Sequence, residues 1–186
     1  MKKIKDFVRS ETRFLIFKER RYEDKNGNPK SWDMVSRVND TKAVMIVAYK
    51  EATMTEGRKL IITKEFRVPL DDYEWGMPAG LIDEGESIEE TVKRELKEET
   101  GLDVSEILSV SPFTYNSAGM TDEAIAMAFV EVTGEPTQIG NESSEDIQTF
   151  LMSPGEVAKL LSNKENKFGA KGWIVMDRFA RTGQII

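Results

Sequence analysis

Three glutamates on one short stretch, Glu95, Glu98 and Glu99, have the types and spacing to do chemistry. At roughly 100° per residue, separations of three and four put them on one face of a helix. Three like charges so placed repel one another, and partial burial makes the repulsion worse. A hard divalent cation bound through oxygen, Mg²⁺ or Mn²⁺, relieves both. Composition leaves few other routes to catalysis. The chain has no cysteine and no histidine, so thiol catalysis, serine–histidine triads and the commonest zinc sites are excluded.

The helix that carries the glutamates is predicted from about 88 to 100. Ser87 with Glu90 forms a capping box at its start, and Gly101 stands where a left-handed cap ends a helix. Ile88, Val92 and Leu96 recur every four residues as the buried stripe. The acidic triplet is centred about 60° to 70° from that stripe, at the edge of the core. The competing reading is a solvated acidic face screened by Lys93, Arg94 and Lys97.

The stretch from Gly80 to Leu102 resembles the Nudix box and fills every position of that pattern. Gly80 begins it and Glu86 follows. Arg94-Glu95-Leu96 and Glu98-Glu99 lie on the helix, and Gly101-Leu102 closes it. The resemblance implies a Nudix hydrolase with a loop–helix–loop in an α/β/α sandwich. By the same resemblance Glu95, Glu98 and Glu99 are metal ligands together with the carbonyl of Ala79. Glu99 is then central to catalysis, Arg94 holds the helix and its glutamates in place, and Glu86 is mainly structural.

The flanks are similar to the ADP-ribose pyrophosphatases. Arg67, at the end of Ile62-Thr63-Lys64-Glu65-Phe66-Arg67, matches an arginine that contacts substrate. Trp32 and Phe14 match N-terminal aromatics that sandwich the adenine across a swapped homodimer, and Arg37 matches an arginine on the diphosphate. Gly119 belongs to the substrate loop. The family has Ser-Pro-Gly there, whereas this chain has Ser117-Ala118-Gly119. That departure keeps other nucleoside diphosphate derivatives open, such as GDP-mannose, a dinucleotide polyphosphate or NADH. Glu142 and Glu145 both match the extra catalytic glutamate of a later loop.

These groups need elements to position them. Residues 1–40 read as a small antiparallel β unit, with a strand at Phe14–Phe17, an Asn26-Gly27 hairpin turn and alternation from Ser31 to Val38. It is too small to bury a core alone and should pack on the main domain or a second subunit. Residues 41–186 read as the Nudix domain. Strands at 43–49 and 59–63 pair, and further strands run from Val104 to Pro112 and Ala124 to Val132. Ser153-Pro154-Gly155-Glu156 opens a helix toward Leu161, and Ala170 to Thr182 forms the last one. The fold class is α/β (α+β): a mixed sheet with helices on both faces.

A net charge of −7 argues against nucleic-acid binding along a basic face. An acidic protein acting on a phosphate substrate needs cations to bridge the two. No apolar run is long enough to span a membrane and no signal peptide is evident, so a cytoplasmic protein is expected. The expected activity is Mg²⁺-dependent hydrolysis of a nucleoside-diphosphate sugar, with ADP-ribose giving AMP and ribose 5-phosphate. From another class comes a catalytically silent sensor of ADP-ribose-type ligands.

Overall fold

A computed structural model describes residues 1–54, 56–137 and 146–186. In chain order the strands and helices are β1 (Lys2–Glu11), β2 (Leu15–Glu23), β3 (Pro29–Arg37), β4 (Ala43–Lys50), β5 (Lys59–Arg67), β6 (Asp72–Gly76), β7 (Ala79–Leu81), α1 (Ile88–Thr100), β8 (Asp103–Val110), β9 (Thr114–Tyr115), β10 (Ala124–Thr133), β11 (Ile147–Met152), α2 (Pro154–Ser162), β12 (Lys167–Phe168) and α3 (Ala170–Thr182).

β1, β2 and β3 form a separate antiparallel sheet of three strands. The β2–β3 turn is built on Asp24, whose carboxylate accepts from the backbone N–H groups of Asn26 and Asn28, while Gly27 takes a φ of 81°. Phe14 falls outside the strand predicted for it. It lies in the tight turn where Thr12 bonds Leu15, and the residue is 60% exposed.

Among the described residues the second sheet has nine strands, along the path β12-β6-β5-β4-β10-β8, with β11 on β5, β7 on β4 and β9 on β10. It is mixed: β4–β10 and β12–β6 are parallel, and the remaining pairs are antiparallel. β4 and β5 pair only at their ends, Tyr49 with Leu60 and Lys50 with Lys59. β7 pairs with the start of β4, Ala43 to Met45, and β10 runs along it from Ala43 to Tyr49.

β4 explains the layering. Seven of its eight residues are buried, so both faces need a cover. Val44, Ile46 and Ala48 pack with Val92 and Leu96 of α1. Met45, Val47 and Tyr49 pack with Val157 of α2 and with Val175, Met176 and Phe179 of α3. This is the expected sheet with helices on both faces. Both predicted capping boxes form, Ser87 with Glu90 and Ser153 with Glu156. No helix among the described residues is long and apolar enough to cross a membrane.

Candidate functional site

α1 sets the acidic triplet against β7. Its capping box fixes the first turn, and Gly101, at φ 75°, ends the helix with its N–H on the Lys97 carbonyl. Within these limits the glutamates differ. Glu99 is buried, with 6% exposure, and its Oε2 accepts from the Ala79 N–H at 3.3 Å. The Glu95 side chain is 15% exposed and the Glu98 side chain 51%. Gly80 has a structural reason to be glycine: a Cβ there would overlap the Glu95 carboxylate.

Arg94 ties the loop before α1 to the acids on it. Its guanidinium donates twice to Glu86, at 2.9 and 2.8 Å, and once to the Leu81 carbonyl at 3.1 Å. Nη1 reaches Glu95 at 2.8 Å and Glu98 at 3.2 Å. The Arg94 hydrogen bonds, helped by Thr91, hold the Glu86 carboxyl at about 2. Bonding to Glu86 in turn keeps the Arg94 guanidinium still more firmly protonated.

The donor set suits a hard divalent ion: carboxylates, a neighbouring backbone carbonyl, and a gap at Gly80 that lets a carboxylate lie against the backbone. In this arrangement Arg94 engages two of the three acids. Among the described residues no three acidic side chains converge in metal-holding geometry.

A cavity of about 560 Å³ opens beside β7. Ala79, Gly80, Arg37 and Arg67 line it together, so both predicted substrate arginines and the glycine edge of the box share one space. Arg67 is held by Glu65 at 2.6 Å and Glu74 at 3.3 Å. Arg37 donates to Glu123 at 2.5 Å. Trp32 and Gly119 come together elsewhere: the indole N–H donates to the Gly119 carbonyl at 3.0 Å. Trp32 lines a second hollow of about 480 Å³ with Tyr22, Met34, Tyr115 and Met120. Phe14 lies beside Arg37 in a small cleft, with Arg13 over its ring. Neither aromatic reaches the main cavity within one chain. Glu142 and Glu145 lie outside the described residues.

Asn116 and Glu123, the ends of the stretch read as a substrate loop, and Lys171, which the sequence reading did not single out, also line the main cavity. One signal for Lys171 was available. It stands in the first turn of α3, where no acid accompanies it and a cation opposes the helix dipole. A lysine placed against its own helix invites the question of what holds it there.

Known proteins bear on this geometry. An ADP-ribose pyrophosphatase of Saccharomyces cerevisiae is 35% identical, over 75% of this chain and 65% of its own length. An ADP-sugar pyrophosphatase of Mus musculus is 29% identical, over 68% of this chain and 59% of its own. The chain thus matches somewhat under two thirds of each relative's length. A solved structure titled as an ADP compounds hydrolase shares the fold, with a TM-score of 0.73 at 19% identity, covering 100% of this chain and 98% of the other. The family model described as the NUDIX domain matches residues 40–172, and with the box geometry in place on α1 and β7 the chain belongs to that family.

Proposed function

We propose that this chain is a pyrophosphohydrolase that splits nucleoside-diphosphate sugars in the presence of Mg²⁺, converting ADP-ribose to AMP and ribose 5-phosphate. One observation carries the reading. Gly80 lines the cavity that also holds Arg37 and Arg67, and its missing Cβ leaves room for the Glu95 carboxylate. An acid cluster able to take hard cations thus borders cationic side chains able to take a diphosphate. The names of the yeast and mouse relatives support the substrate class.

Glu95, Glu98, Glu99 and the Ala79 carbonyl would hold the ion, with Mn²⁺ as a substitute. When bound, Mg²⁺ acidifies a water ligand and neutralises diphosphate charge. The chain's own groups do the rest. Arg94 holds the acids of α1 in register. Arg37 and Arg67 orient the diphosphate and stabilise the phosphate that departs. Glu142 or Glu145 takes the proton of the attacking water. Trp32 and Phe14 offer flat faces for the base, with Gly119 fixing the Trp32 ring. Because these aromatics lie away from the cavity of their own chain, base stacking assigns a second copy to the N-terminal sheet. The working unit is a cytoplasmic homodimer.

The test is product analysis after incubation of the full chain with ADP-ribose and Mg²⁺, beside GDP-mannose, a dinucleotide polyphosphate and NADH. AMP and ribose 5-phosphate are expected from the fastest substrate, and Glu99→Gln should abolish turnover. The proline-free Ser117-Ala118-Gly119 keeps the other compounds open, and the panel decides between them. Binding of ADP-ribose without hydrolysis of any member, in Mg²⁺ or Mn²⁺, would make the chain a ligand sensor and end the hydrolase reading.

A further inference from the structure

We infer that Asn116 is a positioning residue, whose side-chain amide couples Lys171 of α3 to Glu123 and through Glu123 fixes Arg37 in the cavity wall. The kinetic part of its test rests on the hydrolase reading above.

The geometry forms a chain of donors and acceptors across three parts of the fold. Lys171 Nζ donates to Asn116 Oδ1 and, at 3.3 Å, to the Tyr115 carbonyl. Asn116 Nδ2 donates to Glu123 Oε2 at 2.7 Å. The other oxygen, Glu123 Oε1, accepts from Arg37 Nε at 2.5 Å. All four side chains line the same cavity. They come from α3, from the loop before β10 and from the end of β3, so the link joins the N-terminal sheet to the last helix.

The chemistry of the linking residue is restrictive. It has to accept from an ammonium at one end and donate to a carboxylate at the other. An amide does both, whereas an ionised carboxylate can only accept. Without the link, Glu123 keeps Arg37 but loses its tie to α3, and Lys171 keeps only a long bond to a carbonyl. Two cations facing one diphosphate would then be free to drift, and displacements near 1 Å are costly in a site that works by orientation.

The electrostatics agree. Burial alone would raise the Glu123 carboxyl, but hydrogen bonds from Asn116 and Arg37 and the charges of Arg37 and Lys171 hold it below its ordinary value. Burial lowers the Lys171 ammonium, and Glu123 pulls it back up. The groups facing Glu123 are therefore Arg37 from β3, Asn116 within its own loop and Lys171 from α3.

The experiment compares Asn116→Ala and Asn116→Asp with the unmodified chain. It reads ADP-ribose hydrolysis in Mg²⁺ across pH, and the titration of the Glu123 carboxyl by NMR on glutamate-labelled protein. Asn116→Ala should raise KM about tenfold with kcat kept within about threefold. Its Glu123 titration should move upward, so the acid loss of binding begins at higher pH. Asn116→Asp keeps the acceptor for Lys171 but sets a carboxylate against Glu123. It should bind at least as poorly as Asn116→Ala above neutrality and improve on acidification. A residue with only a structural role would lower thermal stability and leave the Glu123 titration in place. An unchanged Glu123 titration, or an Asn116→Asp variant with unmodified KM, overturns the inference. If the unmodified chain hydrolyses none of the panel, the hydrolase reading falls, and the NMR titration still decides the role of Asn116.

Discussion

Gly80→Ala isolates one contact of the proposed site. Gly80 pairs with Val44 across β7 and β4 and does not occupy the left-handed region, so alanine carries no backbone penalty there. What a methyl group meets is the carboxylate end of Glu95. To restore van der Waals distance the carboxylate must retreat by more than about 1 Å. Ligand distances to a hard divalent ion tolerate only about 0.2 Å. The displaced Glu95 therefore stops serving the ion, while the sheet and helix stay as they are. A misplacement of this size costs on the order of a hundredfold in turnover. The melting temperature should change by no more than about 2 °C. The assay is kcat for ADP-ribose at saturating Mg²⁺ beside a thermal melt. Gly155→Ala is the control, because its Cβ meets nothing within 4 Å. A Gly80→Ala enzyme with turnover within threefold of the unmodified chain, or one that loses activity only by unfolding, would refute the reasoning.

Arg94→Met should lower the melting temperature at pH 7 by a few degrees and reduce activity. The Glu86 carboxyl is depressed from 4.5 to about 2 in the folded state, so its share of stability is present above 4.5 and lost as pH falls toward 2. Melts of the two proteins should therefore converge over that window, and a gap that persists at pH 2 contradicts the assignment. Gly101→Ala should destabilise by about 2–4 kcal/mol, since φ 75° is costly for alanine and its Cβ meets Thr137. Gly27→Ala, at φ 81° with open space around it, should cost only the conformational part, measured by the same denaturant titration. Phe179→Ala should lose about 3–5 kcal/mol, because the ring is wholly buried between sheet and helices.

α1 was legible almost residue by residue, because its signals are local: a capping box, a four-residue apolar repeat and a terminal glycine. The burial order of its acids was available too, once each was placed singly. On the wheel Glu99 falls inside the arc of Ile88, Val92 and Leu96, Glu95 lies roughly 20° outside it and Glu98 roughly 80°. Their exposures follow that order, and averaging the three angles hid it. The short strands were not legible. β7 is only Ala79-Gly80-Leu81 and exists because β4 pairs with it. β1 offers little alternation, since both its faces are largely exposed. The parallel pairing of β4 with β10 joins segments some eighty residues apart, and nothing local encodes it. The wall of Asn116, Glu123 and Lys171 was hidden for the same reason: the loop before β10 and the distant helix α3 supply it together.

The acidity of the chain and its proposed substrate meet in the charge pairing of the cavity. Arg37, Arg67 and Lys171 face inward, but Arg37 is paired to Glu123, and Arg67 to Glu65 and Glu74. Pairing of this kind fixes direction while cancelling much of the attraction that a diphosphate would feel. The protein around it carries a net charge of −7, which opposes an anion further. In the proposed function the paired arginines therefore act chiefly as orienting groups, whose donors are held in direction by their carboxylate partners. The attraction itself has to come from another source. In the proposed function the glutamates of α1, set behind the Ala79-Gly80 edge of the cavity, supply it by holding divalent cations. Under the proposed function, strong acidity on α1 and restrained positive charge in the cavity are two parts of one arrangement: the first would recruit charge from solution, and the second would decide how the substrate lies against it.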